Sequence, residues 1–196
     1  CLIYWGSSAL TAGRYHFDFT MAFDREVPLL PVFVWFYILA FPFWAVGYLL
    51  AARRGKDMFY RFVATDLTIH FICFICFILI PTTNIRPEIP GNTFGKDSCS
   101  GIFLDGGNSP SNLFPSIHCY VSWMCWKGVE AQEGAEMVSE IFSGICNSDH
   151  YLYQVLKQHY IVDAAAALLL VEFFWRFYQK GQRHNVGCAC FAHKKK

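Results

Sequence analysis

Two long apolar runs limit what this chain can fold into. The first, PLLPVFVWFYILAFPFWAVGYLLAA from about Pro28 to Ala52, holds no charged residue. Crossing a hydrocarbon core of roughly 30 Å takes about 20 helical residues, so this run suffices, with kinks expected at Pro31 and Pro42. The second, from about Phe59 to Ile80, is interrupted by Asp66 and His70. Between the two lies RRGKD, and Arg53, Arg54 and Lys56 in so short a loop place it on the cytoplasmic side.

Composition agrees with a membrane class. Of 196 residues 55% are hydrophobic, 20 of them Phe, and mean hydropathy is +0.30. Charged residues make up 16%, below the roughly 25% usual in soluble domains. A formal net charge of +1 gives no basic footprint for nucleic acid. Among the nine cysteines, Cys73 and Cys76 sit in FICFICFILI and read as small apolar residues. Cys188 and Cys190, near His184 and His193, fit no zinc spacing well, and an inert or lipid-modified tail is the better expectation.

The second span must emerge outside the cell. There PTTNIRPEIPGNTFGKDSCSGIFLDGGNSPSN carries every turn signal of a loop. Its GNTFGK is one residue short of a phosphate-binding Walker loop and lacks the following Ser or Thr. A short apolar helix is expected from Pro115, since proline suits a first helical turn, with a turn near Lys127 and Gly128. The stretch EAQEGAEMVSEIFSGIC is amphipathic. Val138, Ile141, Phe142 and Ile145 form one stripe and Glu133, Glu136 and Glu140 another. The last span runs from about Tyr160 to Tyr178 and is broken by Asp163, Glu172 and Arg176. Arg176, Lys180 and Arg183 put its end in the cytoplasm.

The expected architecture is therefore all-α, a polytopic transmembrane helix bundle with about five spans. Residues 1–27 read as an N-terminal remnant and extracytoplasmic segment, with CLIYWGSSALTA as the end of a truncated apolar stretch. Residues 28–180 form the membrane domain, and 181–196 a cytoplasmic tail.

This alternation brings chemistry to one membrane face. Arg86 follows the exit of the second span, Ser116 and His118 open the third helix, and Lys157, His159 and Asp163 open the last. His159 and Asp163, four residues apart, share a helical face. A carboxylate there can hold one imidazole nitrogen as donor and leave the other as a nucleophile or base. Free N–H groups at a helix start favour an anion. Taken singly, each residue has a plainer reading. Asp163 caps its helix, Ser116 is a helix-start residue, His118 and His159 are interfacial, and Arg86 and Lys157 are loop cations. Together they suit a tetrahedral oxyanion such as phosphate.

Arg86–Pro87, FPSIH at Phe114–His118 and KQHYIVD at Lys157–Asp163 resemble, in order, the three signature motifs of the type 2 phosphatidic acid phosphatase superfamily. The likeness is to its bacterial integral-membrane branch, similar also to inositol phosphorylceramide synthases, and covers roughly residues 28 to 180. The resemblance implies a six-helix bundle, no cofactor, and metal-independent phosphoester cleavage through a phosphohistidine. His159 would be the nucleophile, Asp163 its orienting partner and His118 the general acid. Arg86, Ser116 and Lys157 would hold the phosphate. The chain departs from the family pattern at Leu79 and Tyr153, where basic residues are usual.

Three functions stay open on the residues. One is hydrolysis of a lipid phosphomonoester or pyrophosphate at the extracytoplasmic face of a bacterial plasma membrane. Another is phosphotransfer to an alcohol by the same chemistry. A third is a non-enzymatic relative that has lost its phosphate grip.

Overall fold

The computed structural model describes residues 2–28, 30, 34–84, 112–130, 136–155 and 159–193, with side chains omitted at 2, 34, 36, 147–155 and 180–193. The described residues are all-α apart from one ribbon of two two-residue strands. Helix α1 spans Leu2–Thr11, strand β1 Phe17–Asp18, α2 Ala22–Glu26, α3 Val34–Arg53 and α4 Lys56–Leu79. Strand β2 is Thr82–Thr83. The remaining helices are α5, Ile117–Val129, α6, Glu136–Val155, and α7, Ile161–His193.

Turn chemistry explains the reversal between α3 and α4. Gly55 precedes α4 at φ 99°, a region open to glycine without a Cβ penalty, and this lets two long helices lie side by side. Contacts at both ends then set the remaining directions. At one end the Tyr37 hydroxyl meets His118. At the other, Arg54 donates to the carbonyls of Gly128 and Glu130, both at 2.9 Å. Helices α3 and α5 therefore run the same way, and α4 runs against them. Helix α7 follows α5, because Ser116 meets Asp163 at its start and Lys127 meets Glu172 further along.

The core follows a helical period. Phe62, Thr65, Ile69, Cys73 and Phe77 recur every three or four residues along α4 and are buried. They face Tyr120 and Met124 of α5 and Ala167, Val171 and Trp175 of α7. Small residues let α3 and α5 close up. A Cβ on Gly47 would lie 2.6 Å from Cys125, and one on Gly128 3.0 Å from the Cβ of Ala51. Gly47 and Ala51 thus form a small-xxx-small face, the device that lets backbones approach where apolar solvent supplies no drive to associate.

The outward faces are apolar as well. Leu39, Phe41 and Leu49 on α3, Leu67, Phe71 and Ile75 on α4, and Leu169, Phe173 and Phe177 on α7 are all exposed. Helix α4 alone among the described helices meets both length and composition requirements for crossing a membrane. Several polar residues within the helices meet one another. Asp66 lies 3.3 Å from His70, whose ring meets the Tyr120 hydroxyl, tying α4 to α5. Arg61, which a reading of Asp66 and His70 as the polar positions of that run passes over, is buried with its guanidinium 3.9 Å from the Trp175 ring centroid. Lys127 bridges Glu172 at 2.8 Å and Glu130 at 3.2 Å.

Several expectations are revised. Pro115 does not open a helix: the Phe114–Pro115 peptide is cis, and α5 begins at Ile117 with Ser116 as its cap. On α6, Val138, Phe142 and Ile145 turn inward to different degrees, but Ile141 is exposed beside Glu140. Pro42 lies inside α3, whereas Pro31 falls outside the described residues. Helix α1 packs on the bundle, Ile3 lying against its core, and α7 continues through residues 181–193.

One threonine pins the end of the bundle nearest His118. The Oγ1 of Thr82, buried, accepts from the amides of Leu113 (2.8 Å) and Phe114 (3.1 Å), while its carbonyl accepts from Asn112 (3.1 Å). Asn112, at φ 62°, donates its side-chain amide to Tyr4 and Ser7 of α1. The Oγ1 of Thr83, by contrast, is buried without a hydrogen-bond partner among the described residues. Thr82→Val should therefore destabilise the fold by about 2–4 kcal/mol, from two buried amides left unsatisfied. Thr83→Val should be near neutral. Reversible unfolding in detergent checks the pair, and equal effects would contradict this role for Thr82.

Candidate active site

The site is assembled at the starts of α5 and α7. Ser116, fully buried, caps α5: its Oγ accepts from the Cys119 amide at 3.2 Å, and its own N–H donates to the Asp163 carbonyl at 3.2 Å. That backbone bond fixes the two helix starts against each other. His118 occupies the first turn of α5, and His159 stands two residues before α7.

Local chemistry at α7 explains how His159 is held. Asp163 is the third residue of the helix, and its Oδ2 accepts from the Tyr160 amide at 3.0 Å. This is the return half of a capping box, which stabilises a helix start by satisfying an orphan amide. The same oxygen lies 3.6 Å from Nδ1 of His159. Asp163 and His159 are 1% and 6% exposed, so their attraction is little screened. The oxygen that caps α7 is thus also the one nearest the His159 ring. A second carboxylate helps from outside the expected set. Asp24 on α2, buried, accepts from the Ile161 amide at 3.3 Å and from the Met21 amide at 2.9 Å. Helix α2 is thereby fastened to the start of α7.

The two imidazoles meet. His118 Nδ1 lies 3.3 Å from His159 Nε2, with ring centroids 5.4 Å apart. The other nitrogen of His118, Nε2, lies 2.8 Å from the Tyr37 hydroxyl. Tyr37 and Trp44 flank the His118 ring at 4.9 and 5.4 Å between centroids. Trp44 is itself held by a hydrogen bond from Nε1 to the Ser122 hydroxyl at 2.9 Å. Tyr37, His118 and His159 are thus joined in turn by hydrogen-bond contacts, and the Asp163 carboxylate lies 3.6 Å beyond, at Nδ1 of His159.

Of the six residues that the sequence singles out, four converge: Ser116, His118, His159 and Asp163. Arg86 and Lys157 fall outside the described residues. Tyr153 lies on α6 without a described side chain, and Leu79 is exposed at the end of α4. Tyr37 and Asp24 are the members that sequence reasoning did not single out. Tyr37 sits in a run where every neighbour is apolar, and a lone tyrosine there reads as packing. Asp24 lies 137 positions from its partner, a separation that no local pattern spans.

Comparison with known family models, curated proteins and solved structures returns no match.

Because its side chain completes the start of α5, Ser116→Ala should lower stability by about 1 kcal/mol, and Ser116→Gly by only a few tenths. Unfolding midpoints of the two variants check this. An unchanged midpoint in the alanine variant would remove Ser116 as a cap.

Proposed function

We propose that this protein is a membrane-embedded lipid phosphatase that cleaves a phosphomonoester or pyrophosphate through a phosphohistidine on His159. The observation that carries this reading is the 3.3 Å approach of His118 to His159, with the Asp163 carboxylate behind the latter. Segments 41 positions apart in sequence supply the two imidazoles. His118 lies in the first turn of α5 and is bonded to Tyr37, while His159 stands just before α7 and meets His118.

The chemistry follows from the polarity of the set. An ionised carboxylate accepts only, so the field of Asp163 favours the proton of a neutral His159 on Nδ1 and leaves a lone pair on Nε2. That lone pair attacks phosphorus, the bond from phosphorus to the lipid oxygen breaks, and His118 protonates the departing oxygen. Water then attacks the phosphohistidine with His118 as base, the P–N bond breaks, and inorganic phosphate leaves. Splitting one displacement into two lowers each barrier. A phosphoryl group does not fit between nitrogens 3.3 Å apart, so one ring turns aside as substrate enters. Arg86 and Lys157 are assigned to the phosphate oxygens on the motif resemblance. These residues need no metal or cofactor for either step.

The membrane setting draws support from α4 and from the apolar residues exposed around α3 and α7. Soluble monomers rarely leave so extended an apolar surface uncovered. The cations Arg54 and Lys127 stand at the end of the bundle opposite His118. By the positive-inside rule that end is cytoplasmic, and the site faces the extracytoplasmic leaflet. The lipid bilayer is then both solvent and source of substrate.

His159→Ala should abolish phosphate release from phosphatidic acid in mixed micelles. His118→Ala should reduce it by roughly 10²–10⁴-fold, the usual contribution of a general acid. A chelator should leave the wild-type rate unchanged. Release that survives loss of His159 would overturn the mechanism, and a requirement for added Mg²⁺ or Zn²⁺ would assign a different one.

A further inference from the structure

Resting on the phosphohistidine reading, we propose that Tyr37 is a positioning residue that sets the protonation pattern of His118 and thereby its competence as a general acid. Tyr37 lies on α3, which carries none of the three motifs, and reaches His118 across 81 positions of sequence. Its hydroxyl is 2.8 Å from Nε2, the nitrogen of His118 turned away from His159.

The polarity of the series fixes what Tyr37 does. With the His159 proton on Nδ1, facing Asp163, Nε2 of His159 accepts. His118 Nδ1 must then donate to it, so Nε2 of a neutral His118 accepts in turn. The Tyr37 hydroxyl is the donor that completes the row. When His118 gains a second proton to act as an acid, Nε2 becomes a donor, and the same oxygen accepts after a rotation about its C–O bond. A hydroxyl serves both states, whereas an ammonium could only donate and a carboxylate only accept. Nδ1 stays aimed at the site throughout, which is the nitrogen that must reach the leaving oxygen. Tyr37 neither touches phosphorus nor exchanges its own proton with substrate.

Packing supports a hydroxyl held for this purpose. The Tyr37 ring lies against His118 with centroids 4.9 Å apart, and against Phe41 at 6.0 Å. Phenylalanine would keep both ring contacts and lose the bond to Nε2. Tyr37→Phe therefore isolates the proposed role.

The test compares two leaving groups with the full chain in detergent micelles. An alkyl leaving oxygen, as in phosphatidic acid, needs a proton, while the phenolate of p-nitrophenyl phosphate departs without one. Tyr37→Phe should lower kcat/KM on phosphatidic acid, which reports the rate only as far as phosphoenzyme formation, roughly 10- to 100-fold, the equivalent of one hydrogen bond to a charged group. It should change kcat/KM on p-nitrophenyl phosphate less than about twofold, because expulsion of that phenolate needs no acid. Equal losses on both substrates, or no loss on either, would overturn the proposal. A second readout needs no turnover. In ¹⁵N spectra of histidine-labelled protein, with His118 signals identified by their loss in His118→Asn, the wild type should show the Nδ1–H form. Tyr37→Phe should shift His118 toward Nε2–H. An unchanged tautomer ratio overturns the role of Tyr37 even if the enzyme is active. Wild-type protein without His159-dependent turnover would instead overturn the phosphatase reading and leave the tautomer shift to decide the Tyr37–His118 coupling.

Discussion

One residue joins the parts of the site. The carbonyl of Asp163 accepts from Ser116, its carboxylate accepts from Tyr160, and the same carboxylate faces Nδ1 of His159. The first contact locks the start of α5 to the start of α7. The second begins α7 at a defined residue, and the third sets a carboxylate oxygen 3.6 Å from the ring that meets His118. A carboxylate buried to this degree tolerates its position only when its oxygens are engaged. Its surroundings extend the same logic outward, with Asp24 closing the next amide of α7.

The two ends of the bundle are built differently. At the site end, neutral hydrogen bonds made by Thr82 and Asn112 fasten residues 112–114 ahead of α5, and the Arg14 guanidinium donates to the Ile78 carbonyl. At the opposite end, cations are matched to carbonyls, carboxylates and rings: Arg54 to Gly128 and Glu130, Lys127 to Glu172 and the Trp126 ring, Arg176 to Glu172. Between them lies an apolar middle held by close approach at Gly47 and Gly128 and by the Asp66, His70 and Tyr120 contacts. Ionisable groups at such depth are expensive unless they pair within the bundle, which is how Asp66 is accommodated.

Much of this was legible before any coordinates. The apolar runs mark α4 to within three residues at each end and α3 at its C-terminal end, its described start lying six residues into the run, since an apolar stretch of that length reads directly as a helix. The motifs FPSIH and KQHYIVD mark four residues that do converge. Less legible was anything that depends on packing between distant segments. The cap at Ser116 displaces Pro115 from the helix because a serine hydroxyl satisfies the Cys119 amide, which proline placement alone does not reveal. Ile141 belongs to an apparent stripe on α6 yet faces outward, because the surface that α6 covers is set by Phe43 and Ser122 on its neighbours. Tyr37 was invisible for the same reason: its meaning lies in His118, on another helix.

The account stands on a covalent bond between phosphorus and Nε2 of His159. Rapid quenching of the enzyme at alkaline pH during turnover of ³²P-labelled phosphatidic acid, followed by peptide mapping, looks for that bond. Label that is stable in base, lost in acid and confined to His159, and absent from His159→Ala, is the predicted result. Full turnover with no label on His159, or with label on another residue, would contradict it.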